Sequence, residues 1–141
     1  MNAAARIAAA ALLCGVGISA FAQENNAVNI VVKSDAHEIV CTLNGSTPAR
    51  ALLAQLPLTQ EIGDWAGKEK TFFPPQKLDT AGAPLSEGKK GNLAYFAPWN
   101  NVVLFYGHGG PYPGLHALGE CSGGAENIDK LRGRVTVSVQ E

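Results

Sequence analysis

The sequence predicts a mainly β fold, a closed or nearly closed barrel of about seven or eight short strands with two short helices. Three observations predict it. Short runs of β-branched or alternating residues recur along the chain, of which Val135, Val137 and Val139 alternating with Thr136, Ser138 and Gln140 form the plainest. Gly, Pro and Asn clusters separate these runs. Helical spacing of apolar residues is confined to two brief stretches.

The barrel does not start at Met1. One charged residue, Arg6, precedes an apolar run from Ile7 to Ile18, and Ala20-Phe21-Ala22 supplies the small residues of a cleavage site. These are the parts of a secretory signal peptide, expected over residues 1–22. The run falls short of the roughly 20 apolar residues that span a bilayer, so no stable membrane span is expected after its removal. Leu13 precedes Cys14, whereas lipidation needs a small residue there. Cleavage leaves 141 − 22 = 119 residues, one β-barrel domain over 23–141, periplasmic or secreted. Losing Arg6 leaves 10 basic against 12 acidic residues, a net charge of −2. Lysines and arginines form no cluster, so no nucleic-acid partner is expected.

The elements follow in order. Val28 to Lys33 reads as a strand, and Glu38 to Leu43 as a half-buried one with Ile39, Cys41 and Leu43 inward. Thr47 offers an N-cap and Pro48 a first helical residue. Ala49, Leu52, Leu53 and Leu56 then share one helical face, and Pro57 ends the helix because it lacks an N–H. Leu58 to Trp65 reads as a strand, turned at Ala66-Gly67 and answered by Glu69 to Phe73. Gln76 to Lys90 has no periodicity and reads as a long loop, a kind that is often functional. Gly91 to Ala97 and Asn101 to Tyr106 are strands joined by Pro98-Trp99-Asn100, and Tyr95 and Phe96 must lie on opposite faces. After the Gly- and Pro-rich segment 107–114 come a strand over Leu115 to Gly119, a short helix over Ala125 to Arg132 with Ile128 and Leu131 inward, and the final strand.

Two cysteines follow the signal, Cys41 and Cys121. In an oxidising compartment an even pair without metal-like spacing reads as a disulfide. The rival reading is catalytic. Gly119-Glu120-Cys121-Ser122-Gly123 spells a nucleophile elbow with Cys for Ser, and the segment up to Gly110 mimics an oxyanion loop. An α/β-hydrolase sheet does not fit in this length, and the disulfide is the simpler use of the pair.

The segments "TPARALLAQLPLTQEIGDWAGKEKTFF", from Thr47 to Phe73, and "GNLAYFAPWNNVVLFYGHGGPYPGLHALGEC", from Gly91 to Cys121, resemble the small bacterial cyclophilin-like proteins. The shared features are a helix ending in Leu-Pro-Leu that runs into a strand pair, a Gly-x-Leu-Ala-Tyr-aromatic-x-Pro strand and a Phe-Tyr-Gly strand. Asn92 stands where Asp is common. The resemblance covers about Val28 to Val139 and implies a cyclophilin-like closed β-barrel with two short helices. The true prolyl isomerases of that fold carry a Phe-His-Arg strand, whose Arg polarises the prolyl amide, and a Gln-Gly-Gly-Asp segment. Neither is present, and Arg50, Arg132 and Arg134 lie in no equivalent motif.

His37, His108 and His116 have no zinc-ligand spacing and no cysteine cluster beside them, so no metal is expected. No phosphate loop or dinucleotide fingerprint occurs, and no cofactor is expected. Glu61, Asp64, Glu69, Asp79 and Glu87 show no acid/base pairing and read as solvated surface. The aromatic residues between Trp65 and Tyr112 are the remaining signal. Trp99 and Tyr112 fall in loops, and His108 lies beside Tyr106 and Tyr112. Tyr95, Trp99, His108 and Tyr112 are therefore the candidate ligand-binding residues, for a small molecule or a peptide. No catalytic residue is assigned. The expected function is an exported cyclophilin-like binding module without classical prolyl isomerase activity. The alternatives are an isomerase with a non-standard active site and a passive accessory domain.

Overall fold

The computed structural model describes residues 27–141; the signal peptide expected over residues 1–22 lies outside them. Nine strands form one antiparallel sheet that curls into a nearly closed barrel. They are β1 (Asn29–Lys33), β2 (Glu38–Leu43), β3 (Leu58–Glu61), β4 (Gly63–Trp65), β5 (Glu69–Phe72), β6 (Asn92–Phe96), β7 (Asn101–Phe105), β8 (Leu115–Gly123) and β9 (Arg134–Val139). Their order across the sheet is β3-β9-β1-β2-β8-β6-β7-β5-β4. The helix α1 (Thr47–Leu53) connects β2 to β3. The second expected helix is a 3-10 segment of six residues, Ala125–Lys130, and it buries Ile128 as its spacing predicts. A shorter 3-10 turn, Ala97–Trp99, joins β6 to β7.

The run from Leu58 to Trp65 corrects the single strand read there. Ile62 breaks it into β3, which pairs with β9, and β4, which pairs with β5. Those are the two edges of the sheet, so one short run serves both. The Ile62 amide donates to Gly133 O at 2.9 Å, and the Phe73 amide donates to Gln60 Oε1 at 2.9 Å across the seam. Donors that an open edge would leave unpaired are thereby satisfied, which also protects against edge-to-edge association.

Several boundaries move for local reasons. Ser46, not Thr47, caps α1, its hydroxyl accepting from the Ala49 amide at 3.4 Å, and Pro48 sits inside the first turn. β8 runs four residues past the expected Gly119, because β2 and β6 flank it on both sides. Gly119 is required at that crowded point: a Cβ there would lie 2.0 Å from Thr42 O. The loop 76–90 is tied to the other end of β8, with Ser86 N donating to Leu115 O and Ala117 N to Pro84 O, both at 2.9 Å.

Alternation along the strands produces two apolar clusters, one on each face of the sheet. The larger fills the barrel with Ile30, Val32, Ile39, Cys41, Leu93, Tyr95, Val102, Leu104, Val135 and Val137, and α1 closes one side through Leu52. Each fully buried aliphatic or Phe side chain of this kind contributes about 1.5–3 kcal/mol. The smaller cluster, Ala94, Val103, Phe105 and Leu115 with Phe96, lies on the opposite face of β6, β7 and β8. Cys41 and Cys121 face each other across β2 and β8 and are joined as a disulfide. Cys121 therefore sits within a strand, not at a strand-to-helix turn, and its sulfur is no free nucleophile.

Candidate ligand-binding site

The smaller cluster is the floor of a cavity of about 200 Å³ on the outside of the barrel. Cross-strand register builds it in rows. Trp65 faces Glu69, and Glu69 faces Phe105. Phe96 faces both Asn101 and Leu115. Val103 lies between the two rows, and all of these residues line the cavity. The strand pairing that folds the barrel thus aligns side chains distant in sequence.

Two connections complete the rim. The turn Trp65 to Lys68 has positive φ at both central residues, 55° at Ala66 and 66° at Gly67, the geometry that matches the twist of a tight hairpin. It brings Trp65 and Glu69 opposite one another. The 3-10 turn then ends on Asn100 in the left-handed region, at φ 53°, and carries Trp99 to the rim. Trp99 stands nearly perpendicular to Trp65, at 86° with centroids 5.1 Å apart, and to Phe96, at 78° and 5.4 Å. Gly109 and Tyr112, from the segment after β7, line the remaining side. A Cβ on Gly109 would come within 2.8 Å of Phe105 Cε1 and 3.2 Å of Glu69 Oε2, so only glycine leaves this space open.

The polar groups here are few: the Glu69 carboxylate, the Asn101 amide, the Tyr112 hydroxyl and the indole N–H groups of Trp65 and Trp99. Burial holds the Glu69 carboxyl above its ordinary range, and Lys68 offsets this only in part. Asn101 is buried, and its Oδ1 has no hydrogen-bond donor among the described residues. A buried acceptor without a partner is uncommon enough to require an explanation.

The expected site residues divide. Trp99 and Tyr112 border the cavity, about half and three-fifths exposed respectively. Tyr95 and His108 do not line it. Tyr95 points into the barrel, where its hydroxyl donates to Asn100 Oδ1 at 2.7 Å and accepts from the Leu78 amide at 3.2 Å. It anchors the 76–90 loop and the turn that carries Trp99; its neighbour Phe96 takes the outward place. His108 is exposed, beside Gly109. Sequence reasoning passed over Trp65, Glu69, Asn101 and Gly109 as cavity residues. A trace of them was available in Trp65 and Glu69 flanking a predicted hairpin turn.

On the inner side of the same hairpin, Lys70 is buried and lies 3.4 Å from Asp64 Oδ2. Tyr106 donates its hydroxyl to Asp64 Oδ1 at 2.6 Å. This bond holds the Asp64 carboxyl below its ordinary range and pushes the Tyr106 hydroxyl up to about 12. No arginine lines the outer cavity. Arg50 donates to Gly45 O, and Arg132 to the Asp129 and Leu131 carbonyls. Among the described residues no three His, Cys, Asp or Glu side chains are placed to hold a metal ion, and no helix is long and apolar enough to cross a membrane.

Comparison with known proteins agrees with this architecture. The hypothetical protein AF2241 from Archaeoglobus fulgidus, known from its solution structure, is similar in fold with a TM-score of 0.60. The two share 16% sequence identity over 81% of this chain and 94% of that one. No curated protein matches the sequence. The profile of the cyclophilin-like family matches residues 32–140, nearly the whole barrel, and the chain belongs to that family.

Proposed function

We propose that this protein is an exported binding module, periplasmic or secreted after loss of residues 1–22, that holds a small molecule or a peptide side chain in the outer cavity. The observation that carries the reading is the grouping of Trp65, Trp99 and Tyr112 at its mouth. Each is more than half exposed, and all three border one concavity over an apolar floor. Scattered exposed apolar residues are ordinary; large aromatics gathered around a concavity mark binding sites. Catalysis of prolyl isomerisation has no corresponding support, because no side chain lining the cavity carries the positive charge that would polarise a prolyl amide.

The test is a fragment screen on the mature protein, read by tryptophan fluorescence and by thermal shift, beside a proline-isomerisation assay. Binding that disappears in Trp99→Leu, with isomerisation at the uncatalysed rate, is the expected result. Binding that ignores this substitution, or clear isomerase turnover, would overturn the proposal.

A further inference from the structure

The same cavity carries information about what enters it. Its volume, about 200 Å³, is below the roughly 300–1,000 Å³ of sites that enclose whole drug-sized ligands. It matches about seven waters at roughly 30 Å³ each. A single functional group with a few carbons fits, with the rest of the ligand outside past Tyr112.

Polarity narrows that group. Glu69 is the one lining residue charged at neutral pH, and among the described residues it has no ion pair or hydrogen bond. Asn101 Oδ1 is buried without a donor. Trp99 packs edge to face against both Trp65 and Phe96, and all three rings line the cavity. Carboxylate, amide oxygen and aromatic π-faces are electron-rich; the indole N–H groups of Trp65 and Trp99 and the Tyr112 hydroxyl can donate, but Glu69 carries the one formal charge of the lining. An anion would be repelled by Glu69, and a neutral hydrocarbon would seal both oxygens away from any donor. A hydroxyl could donate to Asn101 but would bring no charge to Glu69, which Lys68 offsets only in part. A protonated amine donates to both and is attracted by the rings.

We propose that this cavity binds a primary alkylammonium group, a reading that rests on the binding function above and specifies its ligand class. A free amine and the side chain of a peptide lysine present the same group, so both are sources of it. Here Glu69 is the counter-ion, Asn101 orients the ammonium through an N–H bond, and the aromatic rings enclose the alkyl chain.

The experiment titrates the full mature protein at neutral pH with n-butylammonium, with 1-butanol and with Nα-acetyl-lysine methylamide, followed by tryptophan fluorescence and NMR shifts of the indole N–H groups. Both ammonium probes should bind at least about tenfold tighter than butanol. Glu69→Gln should erase that preference. Tyr112→Leu, on an exposed loop where the fold is not at stake, should weaken both ammonium probes, and thermal melts establish that each variant is folded. Tighter binding of the lysine derivative identifies a peptide as the source; tighter binding of butylammonium identifies a free amine. Equal binding of butanol and butylammonium, or a preference that survives in Glu69→Gln, overturns the proposal. Neutral fragments that bind while no ammonium probe does overturn it and leave the binding function standing. Silence from every probe and fragment overturns both.

Discussion

Gly109 lies against the ring of Phe105 with no room for a side chain: a Cβ there would stand 2.8 Å from Phe105 Cε1. The same Cβ would stand 3.2 Å from the Glu69 carboxylate. Gly109→Ala is therefore expected to close the outer cavity from within. Overpacking of this kind costs about 1–3 kcal/mol, measurable by urea unfolding. Fluorescence titration should also show weaker binding of every probe that wild type accepts. Unchanged binding in a destabilised variant would mean that ligands do not use the space between Gly109, Phe105 and Glu69.

Glu69 is expected to oppose stability. Burial raises its folded-state pKa, so folding disfavours its charged form. The sign is then fixed. Stability falls as pH rises from the ordinary carboxylate range through the raised value, and the deficit persists above it. Glu69→Gln should be more stable than wild type at neutral pH, with the difference shrinking as pH falls through the acidic range. Thermal melts across pH 4 to 8 would reveal it. A residue that costs stability at a cavity wall is what a binding site accepts in exchange for function.

The Tyr106–Asp64 bond has its own pH signature. The Tyr106 hydroxyl is held up at about 12 against an ordinary 10.0, so the native state retains its proton longer than the unfolded state does. Its stabilisation is present in full below pH 10 and is lost as pH rises towards 12. Asp64 acts at the other end: its lowered pKa stabilises above the ordinary carboxylate range and is lost as pH falls through the lowered value. Tyr106→Phe should flatten the alkaline limb of the stability curve and move the NMR-monitored titration of Asp64 upward. Its neighbour Lys70, almost wholly buried, keeps Asp64 as its counter-ion in that variant.

The Cys41–Cys121 bond bridges residues 80 apart. Replacing both cysteines by alanine should cost about 2–5 kcal/mol, mainly by releasing the unfolded chain in the loop-entropy account. Thiol titration of the denatured, unreduced protein prepared without residues 1–22 should find no free thiol. Two reactive thiols would contradict the bond, and a small stability loss would indicate that the β2–β8 ladder already constrains the same residues.

The sequence by itself determined which segments become strands, because two-residue alternation and Gly, Pro and Asn turns are local properties. It determined that Tyr95 and Phe96 face opposite ways, and that Trp99 and Tyr112 leave the strands for loops. It also brought Cys41 and Cys121 together through their number and the expected compartment. Tertiary structure decided the rest. Alternation says that adjacent residues diverge but not which face is the barrel interior, so Tyr95 became a core anchor and Phe96 a cavity wall. Ile62 divided one apparent strand between both edges of the sheet, since closing the barrel requires the chain to cross the seam there. Glu69 looked like surface charge until β5 paired with β7 and set it beside Phe105. Asn101 and Gly109 carry no signal of their own: the first matters because neighbouring strands bury it, the second because of what a side chain would strike. Such relations depend on residues tens of positions apart meeting in space, which pairing register specifies and local sequence does not.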